Sequence, residues 1–152
     1  MSGTGIFART FEELDAVVQI GIANGRVISL SVPDTPEPNA SSDNEKLDWI
    51  DGYLAGTEQD VTDIEIGLTV PGEQRTVLEN VRKIPYGEEL RLKRVVARSQ
   101  GLDPDAEAVL KTARTALAEN PIPLFIPDHR VVDGPSGLPA DVEATLRKIE
   151  GL

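Results

Sequence analysis

No cysteine occurs in this chain of 152 residues, and that absence limits what it can fold into more than any single motif does. Disulfides, thiolate metal sites and thiol nucleophiles are all excluded. The length allows one compact domain or two small lobes that share a core. Hydrophobic residues make up 39% and charged residues 27%, the balance of a globular chain and not of a disordered one. His129 is the single histidine, too few for a histidine-based metal site, so neither a metal nor any other cofactor is expected. A hydrolase built on a serine–histidine pair would have to use that residue. No apolar run approaches the roughly 18 residues of a membrane span. No basic stretch leads into an apolar run at the N-terminus, so no signal peptide is read. The expectation is a soluble, cytoplasmic protein with no membrane partner.

The formal net charge of −11 argues against a polyanionic partner until it is read along the chain. Residues 1–70 hold 3 basic and 13 acidic side chains, a balance of −10. Residues 71–152 hold 12 and 13, a balance of −1, and within 75–114 the balance is +3, from 9 basic and 6 acidic residues. Basic charge concentrated in one segment is the footprint of a nucleic-acid partner. The acidic remainder, with only five lysines, fits adaptation to a salty cytoplasm.

Phe7 to Val18 reads as a short helix or a strand lead-in. Asn24-Gly25 between apolar runs signals a hairpin. Residues 33–45, rich in Pro, Ser, Asn and acids, form a surface loop. Lys46 to Ala55 carries Leu47, Ile50 and Leu54 at helical spacing, with Gly56 as its stop. Val61 to Val70 alternates at Ile64, Ile66 and Leu68, which predicts a strand. From Pro71, placed to open a first turn, the pattern turns helical, with Val77, Leu78 and Val81 in one stripe. A short helix over Leu90 to Ser99 precedes a Gly101 turn. Asp103 as N-cap and Pro104 at the first helical position then open a helix to Ala118. Two helices joined by a glycine turn have helix-turn-helix form, the second over 104–118 being the one that enters a DNA groove.

A more specific signal follows. Asn120-Pro121-Ile122-Pro123-Leu124-Phe125-Ile126-Pro127-Asp128-His129-Arg130-Val131-Val132 resembles the active-site signature of the alkylguanine-DNA alkyltransferases: Asn-Pro, an apolar strand, then Pro-Cys-His-Arg and two aliphatic residues. Only the cysteine differs, and Asp128 stands in its place. Upstream, Gln74 to Leu78 and Ile84-Pro85-Tyr86-Gly87-Glu88 resemble the family's glutamine-bearing helix and proline–tyrosine–glycine turn. Downstream, Glu150-Gly151 resembles the pair that closes the family's last helix. The resemblance spans 71–151 and is fainter over 1–70.

What the resemblance implies is an α+β fold: a small N-terminal α/β lobe, ribonuclease-H-like, over 1–70, then a winged helix-turn-helix DNA-binding domain over 71–152. The family's enzymes flip a damaged guanine out of duplex DNA and move its alkyl group to the cysteine. Asn120, His129 and Glu150 correspond to the residues that orient and activate that cysteine; here they are expected to persist as a structural network. Lys111 falls where the family's base-replacing arginine stands, and lysine lacks the planar fork of arginine. Thr112 and Arg114 follow it on the same helix, Arg114 in place of a glycine. Together with Arg130 and Tyr86, these are the expected DNA-binding residues. Leu92 replaces the family's phosphate-rotating tyrosine, and the tyrosine loop that walls the base pocket is shortened to Gly134-Pro135-Ser136-Gly137.

The resulting expectation is a non-catalytic DNA-binding protein, acting as a monomer, linked to recognition or repair of alkylated guanine. Its partners would be double-stranded DNA and a repair protein. Two alternatives stand beside it. In one, Asp128 supported by His129 and Glu150 removes the alkyl group by way of a hydrolysable ester. In the other, the chain is a scaffold that binds another protein through its acidic lobe.

Overall fold

The computed structural model describes residues 4–152. Its architecture is α+β, with three antiparallel strands followed by five α-helices. β1 (Thr4–Phe11), β2 (Ala16–Ala23) and β3 (Arg26–Ser31) pair in sequence order. The segment from Phe7 to Val18 is therefore two strands and the turn between them, not one element. Asn24 and Gly25 take φ values of 53° and 77°, the left-handed pair that a two-residue hairpin requires, and they join β2 to β3 as their identity predicts. Val18, Ile20 and Ile22 alternate inward from β2 onto the core.

α1 (Glu45–Leu54) begins where Asn44 Oδ1 accepts the Lys46 amide at 2.8 Å. Its inner face buries Leu47, Ile50, Tyr53 and Leu54. Each such side chain contributes about 1.5–3 kcal/mol of burial free energy, and this anchors the helix under the sheet.

Val61 to Val70 is not a strand. Asp60 accepts hydrogen bonds from the Thr62 amide (2.9 Å) and hydroxyl (2.7 Å), and this cap winds Val61–Asp63 into a 3-10 turn. The alternation beyond it is real, with Ile64 buried and Ile66 and Leu68 half-buried, but only Ile66 bridges a strand, at Val27. The apolar stretch from Ile122 to Ile126 is likewise a tight turn: Leu124 has φ 76° and the Ile126 amide reaches back to the Ile122 carbonyl at 2.8 Å.

α2 (Gly72–Val81), α3 (Leu92–Ala97), α4 (Glu107–Ala118) and α5 (Ala140–Glu150) make up the second half. α3 starts later than Leu90 because that residue bridges Val131 instead. α4 starts later than Pro104 because Asp103 Oδ1 accepts the Asp105 amide (2.9 Å), closing a local turn before the helix begins at its Ala106 cap. Gly151, at φ 79°, ends α5. α4 packs on α2 and α3, and α5 packs on the turn at Asp128–Arg130. The buried apolar residues form one cluster that runs from Phe11 on the sheet to Leu146 on α5.

Candidate functional site

Residues 122–131 are buried without a break, although three of them are Asp128, His129 and Arg130. Polar groups in such a place must find partners within the fold. All but His129 Nδ1 do so, in two separate clusters that meet at the Asp128–His129 peptide.

The first cluster surrounds Asp128, which has no exposed surface. Asn120, just beyond α4, ties the turn together. Its Nδ2 donates to the Ile126 carbonyl and to Asp128 Oδ2, both at 3.0 Å, and its Oδ1 accepts the Ile122 amide at 3.0 Å. The other donors to Asp128 come from the loop before α5. Ser136 Oγ donates to Oδ1 at 2.6 Å, and the Gly137 amide donates to Oδ2 at 2.7 Å. The loop can close this far only because position 137 is glycine: a Cβ there would lie 2.8 Å from the Asn120 carbonyl oxygen. Burial pushes the Asp128 carboxyl up to about 6, against the pull of the hydrogen bonds from Gly137, Ser136 and Asn120.

The second cluster is centred on Glu150. Its Oε1 accepts Arg130 Nε at 2.8 Å and the Gly87 amide at 2.9 Å. Its Oε2 accepts Arg130 Nη2 at 3.0 Å, His129 Nε2 at 2.6 Å and the Tyr53 hydroxyl. With Nε2 donating to a carboxylate, the imidazole proton is assigned to Nε2. Burial pushes Glu150 up, but hydrogen bonds from His129, Arg130 and Tyr53 reverse this and hold it at about 2. Burial lowers the His129 pKa, against the opposing hydrogen bond and charge of Glu150. The Tyr53 hydroxyl is raised far above its ordinary value, first by burial and then by Glu150. The cluster is thus a neutral histidine and tyrosine around one compensated ion pair.

Tyr53 was absent from the sequence reading of this site. Its signal was its place on the buried face of α1, because a tyrosine there brings a hydroxyl that needs a partner. Ser136 and Gly137 were read only as a shortened loop, not as partners of Asp128. Among the described residues, no hydrogen bond joins Asp128 to His129 or Glu150, so the three acidic and basic groups do not form one catalytic array. Also among the described residues, no group of three or more histidine, cysteine, aspartate or glutamate side chains is placed to hold a metal ion. Among the described residues, no helix is long and apolar enough to cross a membrane.

The model of the 6-O-methylguanine DNA methyltransferase DNA binding domain matches residues 73–150, half of the chain. The chain belongs to that methyltransferase family. Methylated-DNA–protein-cysteine methyltransferases of Metallosphaera sedula and Methanopyrus kandleri are 36% and 31% identical to it over 103 residues. Each match covers 66% of this chain, with 62% of the Metallosphaera protein and 73% of the Methanopyrus protein. The match thus spans less than two thirds of the Metallosphaera relative. The fold extends the likeness to nearly the whole chain. The Mycobacterium tuberculosis OGT in complex with DNA gives a TM-score of 0.73 at 20% identity, over 96% of this chain and 92% of that one. The O6-methylguanine-DNA methyltransferase of the hyperthermophilic archaeon Pyrococcus kodakaraensis gives 0.69 at 18% identity, over 97% and 100%. At these identities the likeness is one of fold.

Within this methyltransferase frame, the candidate DNA-binding residues divide. Lys111 and Arg114 are exposed on α4, opposite the buried Leu110, Ala113, Ala116 and Leu117. Thr112 is half-buried and its hydroxyl donates to the Ala108 carbonyl at 3.0 Å. Arg130 does not reach the surface. It is 1% exposed, and its guanidinium is taken by Glu150 and by the Ile84 carbonyl (2.7 Å), so its expected role in DNA binding is corrected to an internal one. Tyr86 is half-buried, with the Arg130 guanidinium 5.8 Å from its ring centre. Both Tyr86 and Arg130 line a cleft of about 620 Å3 between the 58–62 loop and the end of α2. Asp128 does not line it.

Proposed function

We propose that this chain is a non-catalytic DNA-binding member of the methyltransferase family, in which the position of the nucleophile has become a structural tie. The reading rests on one observation: the Asp128 carboxylate is fully buried and takes three hydrogen bonds, from Asn120, Ser136 and Gly137. A nucleophile must be reachable and activated by a neighbouring base. Asp128 is neither, since it has no exposed surface, none of its partners is a base, and His129 is bonded to Glu150. α3 and α4 form the DNA-facing helix-turn-helix. Alkylated guanine in duplex DNA is the natural target, given what the relatives are named for.

Two measurements on the same duplex, carrying one labelled O6-methylguanine, test this. Incubation with the protein is expected to leave the label on the DNA. Loss of label that Asp128→Ala abolishes would establish dealkylation instead. Fluorescence anisotropy at several salt concentrations is expected to detect binding that weakens as salt rises. Tighter binding to the methylated duplex than to an unmodified one would support lesion recognition. Absence of binding at every salt concentration would sink the DNA-binding reading.

A further inference from the structure

The cations offered to DNA by α4 are Lys111 and Arg114, and the same helix exposes Glu107 and ends on the acidic Glu119. The shorter helix before it is more basic. Arg91, Lys93, Arg94 and Arg98 are all exposed within eight residues, and no acidic side chain interrupts 90–102. Leu92, Val95 and Val96 turn to the core, which leaves the cations outward.

The chain holds 26 acidic residues against 15 basic ones. Arg9, Lys46, Arg75, Arg130 and Arg147 each pair with a carboxylate. Among the described residues, Arg91, Arg94 and Arg98 pair with none. Lys93 comes no nearer than 4.0 Å to Asp105, with both side chains largely exposed. Arg94 stands in α3, with Arg91 and Arg98 as the residues that cap its two ends, so three like charges share one short stretch, where they repel. The fold gains nothing from such a row. The amide at the start of α3 is also spoken for: Leu92 N donates to Asp133 Oδ1 at 2.7 Å. An anion meeting α3 is therefore met by side chains and not by the helix end.

We infer that α3, and not α4, supplies most of the phosphate contacts to duplex DNA, through Arg91, Arg94 and Arg98. This inference rests on the DNA-binding reading above and names the surface that carries it. From the N-cap Arg91 to the C-cap Arg98 the chain rises about 10 Å, and one DNA strand carries a phosphate about every 3.4 Å along the axis. The row therefore matches a run of about three phosphates on one strand. Contacts of this kind position the protein without reading sequence.

The test is anisotropy on one unmodified duplex and its methylated twin, from low to moderate salt. It compares the full-length parent, the triple variant Arg91→Ala/Arg94→Ala/Arg98→Ala, the matching triple lysine variant and Lys111→Ala/Arg114→Ala. Each phosphate contact contributes about 0.9 to the slope of log affinity against log salt, so the alanine triple should lose about 2–3 from that slope. It should also weaken both duplexes more than tenfold and equally. Lysine at the three positions should keep most of the slope, and the α4 pair should cost less than the α3 triple. Thermal unfolding should be unchanged in all variants, because every altered side chain is exposed. If the parent binds and the alanine triple keeps its affinity and slope, α3 is not the contact and the DNA-binding reading survives. A larger loss from the α4 pair would overturn the inference in the same way. If the parent itself binds at no salt concentration, the underlying reading fails and the inference goes with it.

Discussion

Asp128 and Glu150 are two buried carboxylates in neighbouring clusters, and the fold treats them in opposite ways. Glu150 accepts five hydrogen bonds and Asp128 three. The donors to Glu150 include the Arg130 guanidinium, and its carboxyl is held at about 2. Those of Asp128 are a hydroxyl, an amide side chain and a backbone N–H, all neutral, and burial pushes it up to about 6. The difference teaches that a buried acid is held ionised by the number and charge of its donors. The hydrogen bonds from His129, Arg130 and Tyr53 outweigh burial at Glu150, and the three neutral ones at Asp128 do not. Glu150 is locked in its ionised form, while Asp128 keeps its charge only under moderate protest.

The sharpest way to break this contrast is to remove each carboxylate in turn. Glu150→Ala leaves the Arg130 guanidinium buried and unpaired, so urea unfolding should show a loss of about 3–5 kcal/mol. An equal loss from Asp128→Ala would mean that the counter-ion is not what separates the two sites. Titration gives the next largest effect, with opposite signs. The Glu150 pKa is depressed on folding, so its stabilisation is present above an unfolded value of about 4.3 and lost as pH falls toward about 2. The Asp128 pKa is raised, so its contribution is greatest below about 3.9 and is lost as pH rises through about 6. That shift of roughly two units corresponds to on the order of 3 kcal/mol between pH 4 and pH 7. Stability measured against pH should fall across this window in the parent relative to Asp128→Asn. If the two curves run parallel, Asp128 is not raised. The smallest effect is at the edge of the Glu150 cluster. Tyr53→Phe removes a hydroxyl donated to a charged oxygen and should cost about 2 kcal/mol in the same unfolding experiment, with Glu150 titrating at higher pH. An unchanged titration would place Tyr53 outside the set that holds Glu150 down.

Much of this was legible in the sequence where the signal is local. Asn24-Gly25 dictated its hairpin because the turn needs two left-handed residues and those two supply them. The periodicity of 46–55 gave α1, and Gly151 marked the end of α5. Local cues also misled when a side chain competed for the backbone. Asp60 wound the start of the expected strand at 61–70 into a turn, and Asp103 delayed α4. The site was half legible. Asn120, Asp128, His129 and Glu150 are all buried polar residues, as a motif with no solvent role would be. Their division into two clusters was invisible, because the Glu150 cluster depends on partners far along the chain. Tyr53 lies 97 residues from Glu150, and only tertiary packing brings them together. Arg130 was misplaced at the surface because an arginine beside a DNA-binding motif suggests phosphate, while a buried glutamate across the fold claimed it first.

The way Ser136 and Gly137 close on Asp128 also bears on how easily a thiol could be placed there. A cysteine at position 128 would shorten the side chain and remove both oxygens at once. Asn120, Ser136 and the Gly137 amide would be left facing a sulfur that accepts hydrogen bonds weakly. The loop that buried the old position would still cover the new one. Gain of alkyl transfer therefore calls for the loop to be rebuilt together with residue 128. If the chain is non-catalytic as proposed, neither change alone yields an activity to select, and the closed loop acts as a ratchet against gaining one.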